Sequence, residues 1–203
     1  MNILTEALPN SVRIGGSEIG INADFRASLA FETMLMENEG RSEEEIIIQA
    51  LDLYYDNRWK ALPYESGREA IDKMLWFYRC GRPDPKQKKS RLKAPPYSYN
   101  YDAPFIYAAF LEQYGIDLEK VKFLHWWKFR AMFDALSEDT RIMEIIKIRA
   151  IELDGKMSKE QKTYYRKMKK IYELPQKEKS KEQKALEEIL LNGGDISVLD
   201  GKD

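Results

Sequence analysis

The stretch that decides the fold is Tyr101–Arg149, YDAPFIYAAFLEQYGIDLEKVKFLHWWKFRAMFDALSEDTRIMEIIKIR. Its periodicity predicts three helices joined by very short turns. Asp102 stands as a cap with Pro104 in the first turn, and Phe105, Ile106, Ala109 and Phe110 fall on one face. Tyr114-Gly115 ends that helix, since glycine suits the left-handed exit position. Asp117 is expected to cap a second helix at once, running through Leu118, Val121, Leu124, Trp127, Phe129, Met132, Phe133 and Leu136. Ser137 is expected to cap the third, which carries Ile142, Ile145, Ile146 and Ile148 with Arg149 among them. An Arg so placed needs an anion if it is buried. Phe123 and Trp126 widen the second helix beyond a simple stripe, and a helix apolar around most of its girth is central or faces a partner.

Outward toward the N-terminus, Ser11–Ile21 alternates on both sides of Gly15-Gly16, the pattern of a β-hairpin with a two-residue turn. Three helices follow: Asp24–Asn38, Glu43–Trp59 behind the capping box Ser42–Glu45, and Gly67–Cys80 behind a second box, Ser66–Glu69. Residues 82–100 hold four prolines and six basic side chains and read as a linker. Beyond the central stretch, the capping box Ser158–Gln161 opens a basic helix to about Glu173, with Tyr164, Met168, Ile171 and Tyr172 on one side. Pro175 stops it, and the tail holds one short helix around Lys181–Leu191. The expectation is a mainly α protein, a multi-helix bundle with a small N-terminal hairpin. Its parts are residues 1–81, a 82–100 linker, a 101–175 helical core and a charged 176–203 tail.

Composition sets the function classes. The 203 residues are 43% hydrophobic and 33% charged, with a net charge of -1. That near-neutrality hides a polarity: residues 1–56 carry eleven acids against three Arg, and residues 156–184 carry eleven bases against four Glu. The single Cys80 excludes a disulfide framework and a Cys-based zinc site, and the single His125, with no nearby Cys, Ser or clustered carboxylate motif, is not expected to form a triad or a multi-histidine metal centre. His125 reads as a hydrogen-bonded residue of a helical core, and Gly15-Gly16 lacks the Lys-Ser/Thr ending of a phosphate loop. No apolar run spans a bilayer, and the first ten residues lack a signal-peptide pattern, so a reducing cytoplasm is expected. No catalytic, cofactor-binding or metal-binding residues are assigned. The candidate partner-binding residues are Phe123 and Trp126 on the central helix and Tyr164, Arg166, Lys167 and Lys170 on the basic one.

Several blocks resemble the phage gene-product-fifteen family of tailed phages of Gram-positive hosts. They are Asn22–Arg26, Tyr101–Phe110, Tyr114–Leu118, Leu124–Phe129 (Leu-His-Trp-Trp-Lys-Phe) and Ile145–Arg149. The resemblance spans about residues 10–175. It implies a gene between tail-tube and tape-measure genes, hence a non-enzymatic tail assembly chaperone in the host cytoplasm. Its partners would be the tape measure and tail tube proteins, with self-association possible and no membrane. The alternatives are a structural virion component or a nucleic-acid-binding regulator using Lys86–Lys93 and Lys159–Lys170. An isoelectric point near 6.1 weighs against the last.

Overall fold

The computed structural model describes residues 2–36, 41–82 and 96–175. The expected linker 82–100 falls mostly, and the expected tail helix entirely, outside them. The fold is mainly α with one small hairpin, as the sequence predicts. The chain divides into two compact units, and not at a single point: unit 1 takes the N-terminal part together with Phe123–Arg130, and unit 2 takes the described residues 96–122 and 131–175.

Unit 1 begins with strands β1 (Ser11–Ile14) and β2 (Ser17–Gly20), antiparallel with Val12 opposite Ile19. Gly15 and Gly16 have φ of 56° and 79°, left-handed values that glycine adopts freely. Val12 and Ile14 turn inward. Of helices α1 (Phe25–Met36), α2 (Glu43–Tyr55) and α3 (Gly67–Tyr78), α3 packs beside β1, and α2 packs against both α1 and α3. The box Ser42–Glu45 caps α2 as expected. The helix ends earlier than expected, because Asp56 and Asn57 take left-handed φ of 50° and 60°. Trp59, expected inside α2, sits in the following tight turn and donates its indole N–H to Asp52 Oδ1 at 2.7 Å.

The second predicted box is not made. Ser66 lies buried in helical backbone at the end of a short 3-10 turn, without a capping bond. Glu69 instead accepts the Gly15 N–H at 2.8 Å, tying the first turn of α3 to the hairpin turn. A side chain on Gly15 would place its Cβ 2.7 Å from Ser66 Oγ, so the close approach requires glycine.

Unit 2 holds α4 (Ala103–Tyr114), the second half of α5 (Trp126–Asp134), α6 (Arg141–Ala150) and α7 (Lys159–Ile171). α4 ends at Gly115 with φ of 66°. Ile106, Phe110, Phe133, Leu136, Ile142, Ile145 and Ile148 are buried here. Tyr97 and Tyr99, assigned to the linker, pack their rings 5.0 and 5.5 Å from Phe133.

Two predicted starts are corrected. The second helix of the central stretch does not begin at Asp117. Asp117 Oδ1 accepts the N–H groups of Glu119 and Lys120 in a local turn, and the chain then runs non-helically until Trp126. The next helix begins at Arg141 with Thr140, not Ser137, in the cap position. The Ser137 hydroxyl donates to Asp139 Oδ1, and the Ser137 carbonyl accepts Thr140 Oγ1 at 2.7 Å.

Candidate partner-binding surfaces and the sites that exclude them

His125-Trp126-Trp127 is an anchor of unit 1. Asp24 and His125 form an isolated antiparallel bridge: Phe25 N–H donates to the Leu124 carbonyl at 2.9 Å and Trp126 N–H to the Ala23 carbonyl at 2.8 Å. Asp24 Oδ2 also accepts the Leu124 N–H at 3.2 Å. The two tryptophans then serve the end of α3. A helix leaves its last carbonyls without intrahelical partners. Here the Trp126 and Trp127 indole N–H groups donate to the Tyr78 and Phe77 carbonyls, each at 2.8 Å. Trp126 stacks on Tyr78 and on Phe129 at 5.8 Å, and Phe129 on Phe25 at 4.9 Å. Gly81, at φ 71°, leaves the room that Trp127 fills: a Cβ there would stand 2.9 Å from the indole ring.

His125 is buried and fully bonded within unit 1. Its Nε2 lies 3.0 Å from the Pro9 carbonyl, and its Nδ1 accepts the Trp127 N–H at 3.0 Å. Those partners assign the proton to Nε2 in a neutral ring. Burial pushes the imidazole below its ordinary value, the Pro9 carbonyl works the other way, and Lys128 adds to the lowering. Glu32 accepts the Tyr78 hydroxyl, and burial raises its carboxyl against the pull of Tyr78 and Arg130.

In unit 2, Asp102 occupies the cap position of α4 without capping it. Its carboxylate receives Arg149 through Nη1 at 2.6 Å and Nη2 at 2.9 Å, and the Ser98 N–H at 2.9 Å. The Arg and Asp side chains are 12% and 2% exposed, so the anion that Arg149 requires is supplied internally. Arg149 Nε donates to the Tyr172 carbonyl at 2.5 Å, and Lys169 Nζ to the Arg149 carbonyl at 2.9 Å. These bonds seat α7 beside α6.

The predicted partner-binding residues separate. Trp126 is 1% exposed, so the expected exposed pair of Phe123 and Trp126 does not exist: Phe123 alone, at 57%, stands open. Trp126 instead stacks on Tyr78 within its unit and donates its indole N–H to the Tyr78 carbonyl. Tyr164, Arg166, Lys167 and Lys170 do stand exposed together on α7. Ile171 belongs with them, 59% exposed beside Tyr164 at 52%, and no residue of α7 is buried. The Tyr-x6-Ile spacing carried that signal, because residues seven apart share a helix face.

Among the described residues no group of three His, Cys, Asp or Glu side chains is placed to hold a metal, and no helix is long and apolar enough to cross a membrane. An open depression of about 490 Å³ beside β1 and α3 mixes Arg13 and Lys73 with Glu69 and Asp72 over Trp76. It does not carry a single sign of charge. No curated protein and no solved structure matches the chain. The family model described as Bacteriophage Gp15 protein matches residues 4–174, a span that includes the hairpin, the tryptophan anchor, the Arg149–Asp102 pair and all of α7. The chain belongs to the bacteriophage Gp15 protein family, and is a phage structural or morphogenesis protein.

Proposed function

We propose that the protein is a non-enzymatic tail assembly chaperone, acting in the host cytoplasm on the tape measure protein, the tail tube protein or both. The observation that carries this reading is α7: a helix capped at its start by a complete Ser158–Gln161 box, yet burying none of its residues. A fixed backbone that leaves Tyr164 and Ile171 in water is suited to covering a partner's apolar surface. Family membership supports a place in phage morphogenesis. The polarity of the chain, acidic at one end and basic at the other, is compatible with self-association during the same process.

Co-expression with the tape measure protein of the same phage tests this. The tape measure should become soluble and co-purify with the chain, and should aggregate without it. Mass spectrometry of purified virions should find the chain absent. Its stoichiometric presence would replace the chaperone by a virion component.

A further inference from the structure

α7 has two distinct sides. One faces α6: Arg149 Nε donates to the Tyr172 carbonyl, Lys169 Nζ donates to the Arg149 carbonyl, and the Tyr172 hydroxyl accepts Arg141. The other side carries Tyr164 and Ile171, seven residues and therefore two turns apart, about 10.5 Å along the axis. Lys167 lies between them on the exposed edge, followed by Lys170, Arg166 and Lys159 around the helix. Glu160, in the first turn, is the one acid among the thirteen residues of α7, against six bases.

We propose that this side of α7 receives one α-helix of a partner protein, with apolar residues recurring every three or four positions and Asp or Glu along the edge that meets Lys167 and Lys170. The inference rests on the reading of α7 as a partner surface and adds the chemistry of the partner. Tyr164 and Ile171 form an apolar ridge along α7, on which an amphipathic helix can lay its apolar face while the flanking bases meet its acids. Apolar knobs from the partner fill the space beside Met168, between the two exposed side chains. The bases then lie at the flanks, where e and g residues of paired helices set charge preference. A nucleic acid would use the bases but would leave Ile171 without a role, since phosphates and stacked bases reward cations and aromatic rings.

The test uses the full chain and three fluorescein-labelled peptides of three heptads: Leu at a and d with Glu at e and g, the same with Lys at e and g, and a scramble of the first. Anisotropy should show binding of the Glu peptide, at least tenfold weaker binding of the other two, and loss of binding as salt rises. The pair Tyr164→Ser and Ile171→Ser should weaken the Glu peptide tenfold or more. The pair Lys167→Glu and Lys170→Glu should reject the Glu peptide and accept the Lys peptide, a gain that misfolding cannot produce. Equal binding of the scramble, or no exchange of preference in the charge-reversed chain, overturns the proposal. So does tighter binding of a thirty-nucleotide oligo-dT than of the Glu peptide, which assigns the surface to nucleic acid. So does self-association that the Tyr164/Ile171 changes abolish without affecting peptide binding, which assigns it to a second copy. If the tape measure is solubilised equally well by wild type and by the Tyr164/Ile171 variant, the chaperone role stands and the α7 assignment falls. If the peptides behave as expected and the tape measure stays insoluble, the assignment stands and the chaperone role falls.

Discussion

The block Leu124–Phe129 and helix α7 are both aromatic, both carry bases, and both were candidates for contact with a partner. The structure treats them oppositely. Trp126 and Trp127 are buried, with their indole N–H groups spent on the α3 carbonyls. Tyr164 and Ile171 stand in water. Aromatic density does not separate the two cases. What separates them is whether the chain supplies a complement: the Tyr78 and Phe77 carbonyls accept the two indoles and Gly81 leaves room for the Trp127 ring, and the described residues offer no such complement for the second.

The contrast breaks first, and hardest, at Trp126. Trp126→Ala removes a fully buried ring and its indole bond to the Tyr78 carbonyl, so a loss of about 3–5 kcal/mol is expected in urea unfolding. A loss under about 1 kcal/mol there would mean that the block is not the anchor described. Arg149→Met, which strands the Asp102 carboxylate, should cost about 3 kcal/mol, and adding Asp102→Leu should restore much of it. Equal instability of single and double variants would show that the pair is needed for its shape rather than its charge. Ser158→Ala should cost about 1 kcal/mol through loss of the α7 cap, read as helicity and thermal midpoint.

His125 supplies a pH test of the same anchor. Its pKa is lowered in the folded protein, so the unfolded chain binds the proton more readily and stability rises with pH. The contribution is complete above the ordinary value of about 6.5 and is lost as pH falls from there toward the folded-state value. His125→Gln should flatten that segment of the stability curve, and an unchanged slope would place its origin elsewhere. The smallest effect belongs to α7: Tyr164→Ser and Lys167→Glu should each change stability by no more than about 0.5 kcal/mol, because both side chains are exposed. A larger change would make α7 part of the core and remove the contrast.

Much of this fold was legible because local chemistry and final structure agree. Gly15-Gly16 makes the hairpin turn, Ser42–Glu45 and Ser158–Gln161 make their boxes, and Gly115 ends α4. The demand of Arg149 for an anion was legible too, though not that Asp102 would give up capping to meet it. The failures came where a distant residue outbids a local one. Glu69 serves the Gly15 N–H instead of its own helix start. Residues 118–125 look helical from their apolar spacing, yet Leu124 and Trp126 pair with Phe25 and Ala23, a partnership that no window of neighbouring residues contains. The exposure of the α7 bases and of Tyr164 followed from the amphipathic pattern of α7. The burial of Trp126 depended on how α3 ends.

The Asp24–His125 bridge also orders events in time. Leu124 meets Asp24 across 100 residues of chain. At ribosomal rates of about 5–20 residues per second, Phe25 waits roughly 5–20 s for Leu124, and the end of α3 roughly half as long for its tryptophans. Throughout that interval the nascent N-terminal unit has its hairpin and three helices but an unfinished core. A chain that stops before residue 123 lacks the backbone partners of Ala23 and Phe25 and both indole donors to the end of α3.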